Sequence, residues 1–253
     1  MSTCARCGES IREGYKFCNA CGARVGDESG MVESIDEVVA YSKLGGLEGR
    51  CVRVMTGQAM GRFLSIYPEC SFGRREGSFC LPSDATLSPM HAMVRFVENS
   101  FILYDLDSLN GIFIRIRDRT ILRDHDVLRA GNHYFLYEHV DHKVFREDTG
   151  TEFYSTPSRG ERFRLVEIIE RGIRGRANTA PDGTMVVGRR EGSFVFLEDD
   201  SMNGRHFSIR WTQRGGVLVD HHSVNGTFVQ MHEPRVLESG DQFFVGATLF
   251  SVI

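Results

Sequence analysis

The 253-residue sequence predicts an all-β protein, two β-sandwiches in tandem behind a small metal-binding ribbon. Three observations predict it. Short apolar or alternating runs parted by turn residues recur from about residue 47 to the end, with no long helical period. One stretch occurs twice, 115 positions apart, which divides the chain into two like domains. Four of the seven cysteines crowd into the first 21 residues. Composition agrees, because 27 glycines against 6 prolines suit strands joined by tight turns rather than a disordered chain.

The cysteines come first. Cys4-Ala5-Arg6-Cys7-Gly8 and Cys18-Asn19-Ala20-Cys21-Gly22 are two Cys-x2-Cys knuckles. Each turns two thiolates toward one ion, and the glycine after it supplies the backbone freedom of a tight turn. Cys4, Cys7, Cys18 and Cys21 together complete a closed tetrahedral shell for one structural zinc ion, with no position open to a substrate. A segment this short builds no core without metal, so zinc binding and folding are expected to be one event. The odd cysteine total and single dense cluster point to a reducing compartment rather than a disulfide framework. The N-terminus shows no signal-peptide core, and no apolar run reaches the roughly 18–20 residues of a membrane span, so the expected location is cytoplasmic. A net charge of −4 disfavours nucleic acid as a partner, and the ribbon itself offers only Arg6, Arg12, Lys16 and Arg24 against Glu9 and Glu13.

Residues 26–46 read as an acidic linker, with Asp27, Glu28, Glu33, Asp36 and Glu37 and no base before Lys43. Val32, Ile35, Val38 and Val39 fall at helical spacing within it, which predicts a short amphipathic helix ended by Gly45-Gly46. The first sandwich is expected over 47–142, a polar linker over 143–160, and the second sandwich over 161–253. Runs such as Cys51–Met55, Met93–Val97 and Phe101–Tyr104 supply strands of the first, and Arg164–Ile168, Phe207–Trp211 and Val217–Val219 those of the second. The late turns at Gly131 and Gly240 lie 109 apart rather than 115, which predicts six extra residues in a surface loop over 115–126.

The repeated stretch carries the chemistry. Its first copy runs from Gly73-Arg74-Arg75-Glu76-Gly77-Ser78 through Ser88 and His91 to Asn110-Gly111. Its second runs from Gly188-Arg189-Arg190-Glu191-Gly192-Ser193 through His206 to Asn225-Gly226-Thr227. The order Gly-Arg, Ser-x-x-His, Asp-x-x-Ser-x-Asn-Gly-Thr, Leu-x-x-Gly-Asp resembles the signature of forkhead-associated (FHA) domains. The resemblance implies β-sandwiches without catalytic activity, whose loops bind phosphothreonine in partner proteins. The partners it implies are proteins phosphorylated by a Ser/Thr kinase. It assigns peptide binding to Arg74, Ser88, Asn110, Arg189, Asn203 and Asn225, and loop bracing to His91, Gly111, His206, Gly226 and Thr227. The residue types suit the task. Phosphothreonine brings about −1.5 to −2 charge and three acceptor oxygens. An arginine fork grips two of them, a hydroxyl donates to another, and an asparagine amide holds peptide backbone.

The copies depart from the pattern differently. In the first, Pro89 follows the serine and Ile112 replaces the threonine of Asn-Gly-Thr. In the second, Asn203 stands in the serine position. The first is expected to keep the better phosphate contacts and the second the better turn. The leading expectation is therefore a non-catalytic signalling adaptor. Two others compete with it: a phosphate-independent scaffold with degenerate sites, and a nucleic-acid-linked regulator acting through the ribbon.

Overall fold

Successive side chains of a strand point to opposite faces, so alternating runs bury their apolar face only by stacking sheet on sheet. The computed structural model has this architecture. It describes residues 51–57, 59–140, 149 and 160–253, together with three two-residue strands nearer the N-terminus. Those are β1 (Ser2–Thr3), β2 (Ser10–Ile11), which pair antiparallel, and β3 (Met31–Val32). The first repeat supplies β4 (Cys51–Val54), β5 (Phe63–Ser65), β6 (Glu69–Gly73), β7 (Phe79–Cys80), β8 (Ala92–Val97), β9 (Ser100–Asp105), β10 (Ile112–Arg115), β11 (Arg119–Leu122), β12 (Val127–Ala130) and β13 (His133–His139). The second supplies β14 (Phe163–Ile168), β15 (Arg174–Thr179), β16 (Thr184–Gly188), β17 (Phe194–Val195), β18 (Phe207–Thr212), β19 (Gly215–Asp220), β20 (Thr227–Gln230), β21 (Arg235–Leu237), β22 (Gln242–Val245) and β23 (Thr248–Val252). The one helical element among the described residues is a single 3₁₀ turn at Glu170–Gly172.

The strands do not close repeat by repeat. One compact unit holds the described residues up to Ile114 together with Met231–Ile253, and the other is the contiguous segment Arg115–Gln230. In the first unit one sheet runs β21-β9-β8-β6-β7, and a second contains β10-β22-β23-β4-β5-β3. In the second unit the sheets are β11-β19-β18-β16-β17 and β15-β14-β13-β12-β20. The last three strands of each repeat thus complete the sandwich of the other. This corrects the expected sandwich boundaries of 47–142 and 161–253. The chain passes between units just after Ile114 and just after Gln230, not within 143–160.

The exchange costs no register. Leu103 faces Arg235 in the first unit and Leu218 faces Thr120 in the second, the same pairing displaced by 115. Ile112 faces Val245 as Thr227 faces Ala130. The cores follow suit. Phe250 packs on Phe79 with ring centroids 6.1 Å apart, and Phe135 packs on Phe194 at 5.8 Å. Leu237, Phe243, Val245, Phe250 and Val252 fill the first core; Leu122, Leu128, Ala130, Phe135 and Tyr137 fill the second. Only Ile116, Arg117 and Asp118 join β10 to β11, and short hinge connections of this kind favour strand exchange over turning back.

Two further expectations change. The six-residue insertion is absent: β12 and β22 lie 115 apart, and His125, with φ of 68°, takes the place of Gly240, with φ of 86°. Asp126 then accepts the Arg123 N–H at 2.7 Å as Asp241 accepts the Glu238 N–H at 2.9 Å. A histidine in left-handed backbone hides this turn from a search for Gly-Asp. Val32 belongs to a strand, with Met31 and Val32 facing Leu64 and Phe63, rather than to a helix; the rest of that helix expectation lies outside the described residues. So do Cys4, Cys7, Cys18 and Cys21.

Candidate phosphate-reading loops

Both copies of the loop are built the same way. β6 ends at Gly73, where a Cβ would stand 2.2 Å from the Pro89 carbonyl oxygen, so only glycine lets the two loops meet. Arg74 N–H then donates to the Ser88 carbonyl at 2.9 Å, and Arg75 and Glu76 donate to the Pro89 carbonyl at 3.2 and 2.9 Å. In the second copy Arg189 N–H donates to Asn203 at 2.8 Å, and Arg190 and Glu191 both donate to Gly204 at 3.0 Å. Pro89 lacks an N–H, but its carbonyl does the work that Gly204 does.

The histidines sit at the base of the loops, fully buried. His91 Nδ1 accepts the Ser88 N–H at 3.0 Å, and its Nε2 faces the Gly111 carbonyl at 3.1 Å. His206 repeats this with Asn203 N–H and the Gly226 carbonyl, both at 3.1 Å. One ring nitrogen must accept and the other donate, so these partners set the neutral tautomer protonated on Nε2. Burial lowers both pKa values, against the opposing pull of the glycine carbonyls and nearby aspartates. A neutral native histidine meets an unfolded one that titrates near 6.5, so below that pH the unfolded chain binds the extra protons. Stability is therefore level above about pH 6.5 and falls as pH drops below it. A urea midpoint that declines from pH 7.5 to pH 5.5, with a shallower decline in His91→Gln and His206→Gln, is the expected result.

The serine position also repeats. Ser88 Oγ accepts the Leu109 N–H at 3.0 Å, which leaves the hydroxyl proton to donate. Asn203 Oδ1 accepts the Val224 N–H at 3.1 Å, which leaves its amide nitrogen to donate. Asparagine thus reproduces the scaffold bond of the serine. Asn110 and Asn225 donate from Nδ2 to the Thr86 and Ser201 carbonyls at 2.8 and 2.9 Å, so one amide function of each is engaged within the loop. Below them, Asp105 accepts the Ser108 N–H at 2.8 Å and Asp220 the Ser223 N–H at 2.8 Å. Thr227 adds a 2.6 Å bond to Asp220 that Ile112 cannot make to Asp105. Burial pushes the Asp220 carboxyl up, and the bonds from Ser223 and Thr227 more than reverse it, holding it below the usual carboxylate range.

The arginines differ. Nε of both Arg74 and Arg189 is buried without a hydrogen-bond partner. Arg189 Nη1, however, donates to Asp200 Oδ1 at 2.6 Å, and that aspartate side chain is 97% exposed. The residue 115 positions before Asp200 is Ala85, which offers Arg74 no carboxylate. Sequence reasoning passed over Asp200, although aligning the copies at 115 places it beside an alanine.

Family models agree with this organisation. A zinc-ribbon model matches residues 3–25, and the FHA domain model matches 70–131 and 185–246. The chain is therefore an FHA-family protein with a zinc ribbon ahead of two FHA domains along its sequence. It is similar to the oxoglutarate dehydrogenase inhibitors of Corynebacterium efficiens and Corynebacterium diphtheriae, 35% and 36% identical over 83 residues. That match covers 31% of this chain and 58% and 57% of theirs, so the chain spans under two thirds of those relatives. Similar solved structures include one from a structural and functional analysis of phosphothreonine-dependent FHA domain interactions, 30% identical with a TM-score of 0.21, covering 31% of this chain and 83% of that one. Another is Mycobacterium tuberculosis EmbR in complex with a low-affinity phosphopeptide, 22% identical with a TM-score of 0.25, covering 41% and 28%. Among the described residues no helix is long and apolar enough to cross a membrane.

Proposed function

We propose that this chain is a non-catalytic, cytoplasmic adaptor that binds threonine-phosphorylated partner proteins, products of a Ser/Thr kinase, through the loop that carries Arg74. The observation that supports it most is the state of that arginine. Its backbone is pinned to Ser88, its Nε is buried without a partner, and the Ser88 hydroxyl proton stands ready on the loop it meets. An arginine whose backbone is anchored and whose Nε lacks a partner suits a dianion with oxygens to spare. Asn110 keeps its amide oxygen for peptide backbone. The inhibitors among the curated relatives support a regulatory role. Paired peptide pools with phosphothreonine and with threonine, run over the full chain, test the reading; equal retention of both would end it.

In the second site Asp200 already occupies the place of an anion at Arg189, which favours a weaker or phosphate-independent surface there. Asp200→Ala should raise phosphopeptide affinity at this site on the order of fivefold, since an exposed ion pair holds weakly. Ala85→Asp should lower affinity at the first. Fluorescence anisotropy of each variant, with the other site's arginine replaced by alanine, reads both effects.

The ribbon is proposed to hold one structural zinc through Cys4, Cys7, Cys18 and Cys21. Four cysteines in two knuckles suit Zn2+ and leave no coordination position for catalysis. Cys4→Ser should abolish the single equivalent of zinc seen by elemental mass spectrometry while leaving phosphopeptide binding intact.

A further inference from the structure

The strand exchange brings one repeat to the other's phosphate loop. We infer that Asn132, at the β12–β13 turn of the first repeat, is a positioning residue for the second repeat's phosphate-reading loop. Its backbone N–H donates to Asp199 Oδ2 at 2.9 Å. Its side-chain Nδ2 donates to Asp199 Oδ1 at 3.0 Å and to Ser201 Oγ at 2.9 Å. Ser201 N–H closes onto the same carboxylate at 2.8 Å, and the Ser201 carbonyl receives Asn225 Nδ2 at 2.9 Å. Two residues on, Asn203 holds Val224. Asn132 therefore fixes the start of the segment 199–203, and that segment fixes Asn203 and Asn225.

The surroundings are shaped for this contact. A Cβ on Gly131, whose φ is +55°, would stand 2.4 Å from Asp199 Oδ2, so the turn accepts only glycine there. His133 lies with its ring 4.0 Å from that of Phe196, with Nδ1 2.9 Å from Glu167 and Nε2 3.5 Å from Asp199. Asp199 is buried; burial pushes its carboxyl up and the Asn132 and Ser201 bonds draw it below the usual range.

The first unit has the same brace in reduced form. There the turn comes from the second repeat, and Ala247 N–H donates to Asp84 Oδ2 at 2.9 Å while Thr86 bonds Asp84 Oδ1. Alanine has no side-chain amide, so the two bonds from Asn132 Nδ2 belong to the second loop alone. Each phosphate loop takes its reading residues from one repeat and its brace from the other. The inference rests on the proposed reading only for what the loop binds; the bracing itself stands on the hydrogen bonds.

Asn132→Ala recreates the residue present at the equivalent turn, so the variant is expected to fold. Hydrogen exchange on the full chain should then show amides of segment 199–203 opening about tenfold more, with segment 84–88 unchanged, because two side-chain bonds, one of them part-buried, are lost from one loop only. In an Arg74→Ala background, binding of a phosphothreonine peptide pool at the second site should weaken several-fold. Faster exchange in 84–88 instead, or no change in 199–203, overturns the inference whether or not any phosphopeptide binds. A second measurement does not depend on that variant. Bridging with dibromobimane in the monomer should link Asn132→Cys to Ser201→Cys, with the linked peptides identified by mass spectrometry. Linkage of Asn132→Cys to Thr86→Cys instead overturns it.

Discussion

Residues 115–230, expressed alone, should fold as a cooperative β-sandwich, although that segment begins late in one repeat and ends before the last strands of the other. It contains all ten strands of the second unit and every residue of its core cluster, from Leu122 to Leu218. Its length is within the range in which a single core sustains a domain. The aromatic interior is complete, with Phe135 within 5.8 Å of Phe194, Phe196 and Phe207, and Tyr137 on Phe163 at 5.4 Å. Its outer strand β15 is held by ion pairs from Arg176 to Glu167 and from Arg174 to Glu138, with Arg176 also over the Phe194 and Phe196 rings. Circular dichroism and a urea titration should report a folded chain with one sharp transition. A protease-sensitive chain without a transition would contradict the strand exchange, for the segment would then hold only two unfinished halves.

Arg74→Ala should reduce phosphopeptide affinity of the full chain by at least about 100-fold. Two charge-assisted hydrogen bonds, each contributing about 1.5–3 kcal/mol, are lost together. The loop itself should survive, because the anchoring bond from position 74 to Ser88 is made by the backbone. Arg74→Lys should recover only part of the loss, since an ammonium restores charge but not the planar fork. An unchanged melting profile with lost binding, read by anisotropy and differential scanning fluorimetry on the same samples, separates recognition from folding.

Much of this was legible in the residues. The 115-residue repeat, its landmark glycines, arginines, histidines and asparagines, and the apolar alternation of β8, β9, β18 and β19 name the fold. Other parts were hidden for physical reasons. β15 is almost wholly exposed and reads Arg-Gly-Arg-Ala-Asn-Thr, with no alternation to mark it. β11 reads as loop because only Leu122 of its four residues is buried. His125 conceals a turn that glycine normally marks. The strand exchange was invisible in principle, since the exchanged strands share their spacing and register and either set satisfies either core. Asp200 and Asn132 were passed over because each acts on a neighbour through space, one by occupying an arginine and the other by bracing a loop from the far repeat.

Calorimetric titration of the full chain with phosphothreonine peptides selected from a pool decides whether the Arg74 loop reads phosphate. One principal site per chain is expected, lost with Arg74→Ala, kept with Arg189→Ala, and silent toward the unphosphorylated peptide. Binding that survives Arg74→Ala and disappears with Arg189→Ala, or that ignores the phosphate, would contradict it.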